Sequence, residues 1–198
     1  MVDENGMYLT NSPASEKLTD FELLELAKCS DRSAFTEIVK RYKSRIASTI
    51  YGMLGKCDEA DDVGQEVFIR FYKSMENFRG DSALGTYLTR IAINLSLNEI
   101  SRRKRKSIVS FDKMMEDGSD IQGNNNSVKE NENREIIQLA LQKLSAKYRT
   151  VIVLRLIDGY STEETANILG IPLGTVLSRL TRAQIKLKEY LQPHMLET

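Results

Sequence analysis

Residues 161–183, STEETANILGIPLGTVLSRLTRA, read as two short helices joined by a tight turn. Ser161 followed by Glu164 is the spacing of a capping box, in which each side chain accepts a hydrogen bond from the other residue's backbone N–H. Gly170 allows the left-handed backbone conformation that ends a helix, and Pro172 suits the start of the next one. The segment therefore predicts a helix-turn-helix in the second half of the chain.

The second helix of this segment has two chemically different faces. An apolar stripe that is expected to pack inward consists of Val176, Leu180, Ala183 and Leu187. A polar and partly cationic face consists of Thr175, Ser178, Arg179 and Arg182. Arginine reads guanine edges in the major groove, and serine or threonine contacts bases or phosphates, so this face predicts a DNA recognition helix. The simpler alternative is a helical hairpin with a solvated basic face.

The composition favours a folded cytoplasmic protein without a membrane span. The 198 residues, 41% of them hydrophobic and 28% charged, allow one large domain or two small ones. No apolar run approaches the roughly 20 residues of a membrane helix, and residues 1–18 lack the pattern of a signal peptide. Cys29 and Cys57 lie far apart and the only histidine is His194, so neither a disulfide nor a metal site is expected.

The charges are balanced in number but segregated along the chain. The 28 basic and 28 acidic side chains give a net charge of zero. Residues 58–69 carry five acids and no base, whereas residues 102–106, RRKRK, are five consecutive cations. Residues 173–188 hold four bases and no acid. This distribution predicts two basic surfaces, suited to nucleic acid, and one acidic surface.

Helical periodicity predicts an all-α fold in the first half. Apolar stripes indicate helices over about residues 19–29, 31–54, 58–75 and 84–106, and no segment alternates at the period of a strand.

The pattern dissolves between residues 107 and 131, which contain two glycines and three consecutive asparagines. So long a stretch is improbable as a loop within one compact domain. We therefore predict two small helical domains, 18–106 and 132–198, joined by a flexible acidic linker over 107–131, after a disordered lead-in over 1–17.

Two groups of motifs, in this order, resemble the extracytoplasmic-function (ECF) class of bacterial sigma factors. ADDVGQEVFIRFY (60–72), FRGDSALGTYLTRIAIN (78–94) and SRRKRK (101–106) resemble the second sigma region. LSAKYRTVIVLRLIDGYSTEETANILGIPLGTVLSRLTRAQIKL (144–187) resembles the fourth. The resemblance implies a bundle-like region 2 domain, a helix-turn-helix region 4 domain, and an initiation factor that binds core RNA polymerase, directs it to promoters and helps melt the minus-ten element.

The resemblance also implies a polymerase-binding surface. It assigns contact with the beta-prime clamp helices to Asp61, Asp62, Gln65 and Glu66. An acidic face beside Val63 and Phe68 suits a basic coiled coil, because charge steers the encounter and apolar contact holds it. Without the resemblance, a solvated acidic face is the simpler interpretation. A metal site is disfavoured, since adjacent aspartates diverge by about 100° on a helix.

Two DNA-binding surfaces follow from the same resemblance. The minus-ten surface would comprise Phe78, Arg79, Arg90, Asn94 and Asn98, with Arg102, Arg103 and Arg105 on phosphates. Phe78 is equally compatible with the core, and Tyr87, which stands where the family usually has tryptophan, is expected to pack inward. The minus-thirty-five surface would comprise Thr175, Ser178, Arg179 and Arg182, flanked by Lys186. Leu177 stands where many members carry a basic residue.

Further partners implied by the resemblance are the polymerase beta flap and an anti-sigma factor, with no cofactor. One alternative is an ordinary helix-turn-helix regulator that binds duplex DNA without polymerase, but it leaves the acidic helix and RRKRK without a role. An enzyme is disfavoured because the sequence lacks a Gly-rich phosphate loop, metal-ligand spacing and a plausible nucleophile setting.

Overall fold

Helices account for all the regular secondary structure in the described part of the chain. The computed structural model describes residues 18–78, 80, 82–111 and 130–195. Its helices are α1 (Asp20–Lys28), α2 (Arg32–Leu54), α3 (Asp58–Ser74), α4 (Leu84–Phe111), α5 (Glu130–Lys143), α6 (Ala146–Ile152), α7 (Thr162–Leu169) and α8 (Leu173–Met195). A short 3₁₀ turn over Met75–Asn77 follows α3, and a π-helical segment over Val153–Ile157 follows α6. The all-α prediction is confirmed.

Local side-chain signals explain where several helices begin. Thr19 and Glu22 form the capping box of α1, and Ser161 and Glu164 form that of α7. The Asp31 carboxylate accepts two backbone N–H groups in the first turn of α2. Such caps satisfy donors that a helix start otherwise leaves unpaired.

The structure differs from the predicted boundaries around the linker. Helix α4 continues five residues past its predicted end at Lys106, to Phe111, and α5 begins two residues earlier than predicted. Neither glycine nor proline lies between Lys106 and Phe111, so nothing local ends the helix there. Residues 112–129, most of the predicted linker, and the predicted lead-in 1–17 lie outside the described residues.

Helices α1 to α4 enclose the larger core. Its fully buried side chains include Leu23, Ile38, Ile50, Phe71 and Leu88, one or more from each helix. Helix α2 contacts α1, α3 and α4, and therefore forms the centre of this bundle.

Helices α5, α6 and α8 enclose a second core around Leu141, Leu144, Ile152 and Ala183. Leu180 and Leu187 pack against it, and Val176 is fully buried. The predicted inward stripe of the recognition helix is thus confirmed.

The two halves of the chain pack against each other. Val153, Leu154, Tyr160 and Ile168, all from the second half, belong to the larger core of the first half. Within the described ranges, no helix is both long and apolar enough to cross a membrane.

Candidate nucleic-acid and partner interfaces

The helix-turn-helix is fixed by contacts that the local sequence supplies. The Ser161 backbone N–H donates to Glu164 at 2.7 Å, and the Glu164 N–H donates to the Ser161 hydroxyl at 3.1 Å. Gly170 ends α7 with φ of +62°, where a side chain would be strained. The Pro172 carbonyl then accepts the backbone N–H of Thr175 at 2.9 Å and starts α8. Together these contacts set the angle at which α8 leaves the turn.

The predicted reading face of α8 is open to solvent at most positions. Ser178, Arg182 and Lys186 are exposed, whereas Thr175 and Arg179 are half-buried. Among the described residues, none of the three cations has a carboxylate within 4.0 Å. Cations without an internal partner are available to phosphates and guanine edges.

Apolar side chains also lie on the exposed side of α8. Leu177 is 47% exposed and Leu173, one turn earlier, is 41% exposed. An apolar side chain next to base-reading residues can contact the C5-methyl group of thymine in the major groove. Leu177 stands where many family members carry a basic residue. It therefore replaces a charged side chain with an apolar one that favours the methyl group of thymine.

The predicted minus-ten residues of α4 lie on one face of the helix, and one of them is already hydrogen-bonded to another part of the chain. Arg90, Asn94 and Asn98 are exposed and lie four residues apart, hence on one face. The Arg90 guanidinium donates to the backbone carbonyl of Asn167 in α7 at 2.8 Å. Arg90 therefore contacts the second half of the chain, while both asparagines remain open.

The cations of RRKRK (102–106) fall into two groups, those hydrogen-bonded to carboxylates within the fold and those without such a partner among the described residues. Glu99, only 8% exposed, accepts hydrogen bonds from Arg102 at 2.6 and 2.9 Å and from Arg103 at 3.1 Å. The hydrogen bond from Arg102 holds the pKa of Glu99 below its usual value. Arg103 also reaches Glu59 at 3.2 Å and the Cys57 thiol at 3.0 Å, and so ties α4 to the start of α3.

The remaining cations of the cluster, Lys104, Arg105 and Lys106, are exposed. None of them has a carboxylate partner among the described residues. Of the three arginines predicted to contact phosphates, Arg105 is the one that the fold leaves open.

Phe78 and Tyr87 pack within the first half. Their ring centroids are 4.8 Å apart, and the Tyr87 ring also meets Phe71 edge-on at 6.3 Å. The Tyr87 hydroxyl lies 3.0 Å from that of Ser74. This arrangement favours the packing interpretation of Phe78 over base stacking. Arg79, predicted beside it, lies outside the described residues.

The acidic face of α3 borders an apolar groove. Asp61, Asp62 and Gln65 are exposed, and Glu66 is half-buried in an ion pair of 2.8 Å with Arg70. The groove between α2 and α3 has a volume of about 630 Å³, and its apolar walls include Val39, Ile46, Phe68 and Ile69.

Tyr51 lines the groove and is hydrogen-bonded to one of the acidic residues of α3. The Tyr51 hydroxyl donates to Asp61 at 2.6 Å, and this hydrogen bond raises the pKa of Tyr51. Within the described ranges, no cluster of three or more acidic, histidine or cysteine side chains could hold a metal ion.

Sequence reasoning missed Arg149, a buried cation without a carboxylate partner in the described part of the chain. The side chain is 7% exposed and donates to the carbonyls of Leu141 at 2.8 Å and Leu144 at 3.0 Å, at the end of α5. It also donates to the Met53 carbonyl near the end of α2. Burial lowers the pKa of Arg149 to about 10. The only sequence signal was its position just before the apolar run of residues 151–154.

Comparisons with known proteins agree with this geometry. The family description "Sigma-70 region 2" matches residues 38–106, and "Sigma-70, region 4" matches residues 134–187. The RNA polymerase sigma-H factor of Pseudomonas aeruginosa is 34% identical, over 90% of this chain and 96% of its own. The ECF RNA polymerase sigma-E factor of Escherichia coli K12 is 35% identical, over 90% of this chain and 97% of its own.

Solved structures give the same result. The sigma factor RpoE in complex with the anti-sigma factor NepR from Bartonella quintana matches with a TM-score of 0.64 and 25% identity, over 80% of this chain and 96% of its own. CnrH in complex with the cytosolic domain of CnrY matches with a TM-score of 0.65 and 25% identity, over 88% and 97%. Both family regions and the near full-length relatives place the chain in the ECF class of sigma factors, the bacterial initiation factors that direct core RNA polymerase to promoters and help melt the minus-ten element.

Proposed function

We propose that this sigma factor divides its work among three helices: α3 binds polymerase, α4 binds the minus-ten element and α8 reads the minus-thirty-five element. The observation that supports this most directly is the reading face of α8. It presents Arg182 and Lys186 to solvent without an internal carboxylate partner in the described ranges. A merely structural surface helix commonly pairs such charges with neighbours one turn away.

The polymerase-binding surface combines charge and apolar area. Asp61 and Gln65 line the groove, and the Tyr51 hydroxyl orients Asp61. Asp62 is exposed next to Asp61 on the same helix. The groove supplies the apolar floor between α2 and α3. We infer that the beta-prime clamp helices dock here, with the acids steering a basic partner and Phe68 packing against it.

The minus-ten surface follows the exposed face of α4. Asn94 and Asn98 offer both donors and acceptors to the edges of extruded bases, and Arg90 offers a planar cation for stacking. Arg105 contacts phosphates in the conformation that the fold gives it. Arg102 does so after leaving Glu99, and Arg103 after leaving Glu59 and Cys57. Phe78 acts indirectly, by packing against Tyr87 under this surface.

The minus-thirty-five surface lies on the first four turns of α8. Ser178 and Arg182 reach base edges, Thr175 and Lys186 contact the backbone, and Arg179 contacts either. A good arginine–guanine pair contributes roughly 1–3 kcal/mol of discrimination. Leu177 adds an apolar contact on the same side.

Regulation by a protein partner fits the same architecture. Two solved relatives are complexes of a sigma factor with an anti-sigma factor or a cytosolic domain. We infer that an anti-sigma factor also controls this chain.

We further infer that the protein acts in the cytoplasm, in contact with polymerase and its beta flap, and that the chain itself catalyses no reaction. Its two domains in this proposal are residues 18–106 and 132–198.

Core-polymerase binding tests this proposal directly. The Asp62→Lys variant should weaken binding of the full chain to core polymerase at least tenfold. Glu76→Lys, which reverses another exposed acid outside the α3 face, should bind like the wild type. Equal binding by both variants would remove the polymerase role of α3. If the wild type bound duplex DNA alone but not polymerase, the chain would act as an ordinary regulator instead.

A further inference from the structure

Helix α1 is fixed to both ends of the connection between the 3₁₀ turn and α4. At one end, Lys28 of α1 donates to the backbone carbonyl of Phe78 at 3.3 Å. At the other end the contact runs through α2, because the Tyr42 hydroxyl donates to the Asp20 carboxylate at the start of α1. The Tyr42 ring packs against Gly85 in the first turn of α4, where a Cβ would lie 2.9 Å from a ring carbon. Helix α1 therefore lies beside the start of the proposed minus-ten surface.

Phe21 lies on the side of α1 that faces this connection. Phe21, Glu25 and Lys28 are spaced i, i+4 and i+7, and such residues share one face of a helix. On that face Glu25 and Lys28 form an ion pair of 2.8 Å, and Lys28 is the side chain that reaches Phe78. Phe21 is two turns earlier, about 10 Å along the helix axis. The ring is 68% exposed.

The core of the first half does not account for Phe21. Three other residues of α1 form its buried face. An aromatic side chain that is largely exposed loses little contact with water, so it adds little to the hydrophobic stabilisation of the fold. Phe21 is therefore available to a partner.

Phe21 also supplies an exposed ring that the proposed minus-ten surface otherwise lacks. Phe78 and Tyr87 are half-buried, and their ring centroids are 4.8 Å apart. Among the described side chains of α1, of α4 and of the connection before α4, Phe21 is the only exposed aromatic. Proteins that hold single-stranded DNA commonly stack its bases on aromatic side chains beside a cationic groove. The cations and asparagines of α4 lack such a ring of their own.

The acidic side chains of α1 are engaged within the fold. Asp20 is paired with Arg41 at 3.2 Å and Glu25 with Lys28 at 2.8 Å. Glu22 closes the capping box at the start of the helix. Stacking uses the uncharged face of a base, so it does not require a phosphate to approach these carboxylates.

We propose that Phe21 stacks on an unpaired base of the minus-ten strand, so that α1 forms a second wall of the minus-ten site beside α4. Every base has a face that can stack, so Phe21 adds affinity for melted DNA without selecting a base. The inference rests on the minus-ten role proposed for α4, and it assigns a binding residue to a helix that has no part in the three proposed surfaces.

Binding of single-stranded DNA by the holoenzyme tests the stacking. The probe is a fluorescent oligonucleotide with the non-template strand of the minus-ten element, taken from a promoter that the full chain transcribes with core polymerase. Phe21→Ala should weaken binding at least fivefold. Phe21→Leu should weaken it to a similar extent, because it keeps an apolar side chain and loses the ring, whereas Phe21→Trp should preserve binding.

Leu26→Ala is the matched control. Leu26 is 40% exposed on the same helix but lies off the face shared by Phe21 and Lys28. This variant should bind the oligonucleotide like the wild type. Photo-crosslinking then locates the contact, since p-benzoylphenylalanine in place of Phe21 should crosslink to the non-template strand in the open complex.

Each outcome decides the proposal. Wild-type binding by Phe21→Ala or by Phe21→Leu would overturn the stacking and leave the sigma function intact. Crosslinks to a polymerase subunit alone would do the same and would make Phe21 a polymerase contact. A wild-type holoenzyme that transcribes the promoter but does not bind the oligonucleotide would overturn the minus-ten role proposed for α4, and the stacking of Phe21 with it.

Discussion

On α8 the cations of the reading face have no carboxylate partner among the described residues, whereas three cations at the interface between the halves each contact a group of the opposite half. The first group comprises Arg179, Arg182 and Lys186. The second comprises Arg45 on the Tyr160 ring, Arg90 on the Asn167 carbonyl and Arg149 on the Met53 carbonyl. An unpartnered cation is available to DNA at once, while a partnered one contributes to the fold and has to be released first. The predictions below test this difference.

The largest expected effect is on stability. Arg149→Ala would leave the carbonyls at the ends of α5 and α2 buried without their donor. We expect the free energy of unfolding to fall by about 3 kcal/mol, in the range for loss of a buried charged hydrogen-bond network. Arg134→Ala, an exposed cation on α5, should change it by less than about 0.5 kcal/mol. Denaturant titration of both variants measures the difference, and equal losses would contradict the distinction.

A pH dependence of the packing between the two halves, here called the closed state, should follow from Asp158. Burial at the interface raises the pKa of Asp158 from 3.8 to about 6, although Thr49 and Arg45 oppose the shift. The closed state therefore prefers the protonated carboxyl. Its extra stability is fully present below the ordinary pKa and is lost as pH rises through about 6.

The closed-to-open ratio should accordingly fall by up to about tenfold per pH unit between roughly pH 4 and 6, and level off above. Fluorescence energy transfer between one fluorophore on each half of the chain measures this ratio. Asp158→Asn should abolish this pH dependence and stay closed at neutral pH. A wild type with no trend, or a variant that keeps the trend, would show that Asp158 is not the titrating group.

Substitutions of Arg182 and Arg90 should affect different steps of promoter recognition. Arg182→Ala should weaken binding of a promoter duplex by about tenfold or more, from loss of one guanine or phosphate contact. Arg90→Ala should leave duplex binding unchanged and impair promoter melting by the holoenzyme. Electrophoretic mobility shifts and permanganate reactivity of unpaired thymines measure the two steps. Equal effects of both variants on duplex binding would contradict the division between α8 and α4.

The smallest expected effect concerns Leu177. Replacing thymines of the minus-thirty-five element by deoxyuridine removes one methyl group each, and at one position this should weaken wild-type binding by about threefold. Leu177→Ala should lose that sensitivity. Leu177→Arg should instead steepen the salt dependence of binding by about 0.9 in the logarithmic slope, by adding a phosphate contact. If uridine has no effect at any position, Leu177 does not read a methyl group.

Local signals in the sequence were sufficient for α1, for α7 and for the inward stripe of α8. Capping boxes at Thr19 and Ser161, the left-handed Gly170 and the apolar stripe through Val176 act within one or two turns, so a single sequence displays them. Family resemblance added the acidic α3 face and the asparagines of α4.

Contacts across large sequence separations could not be predicted in this way. Asp158 and Thr49 are 109 residues apart, and Arg149 and Met53 are 96 apart. The hydrogen bonds of Arg103 to Glu59 and Cys57 could not be predicted for the same reason. In the sequence RRKRK alone, the five cations cannot be told apart. The closeness of Gly52 to Val153, 101 residues further along the chain, belongs to the same class of contact.

Promoter-dependent run-off transcription with core polymerase and a pool of genomic upstream fragments tests the central claim most directly. The wild type should yield transcripts that require the chain, and Arg179→Ala combined with Arg182→Ala should abolish them. Arg134→Ala combined with Lys147→Ala, which removes two exposed cations of α5 and α6, should leave them intact. Transcripts that persist without the two α8 arginines, or that never depend on the chain, would contradict the account.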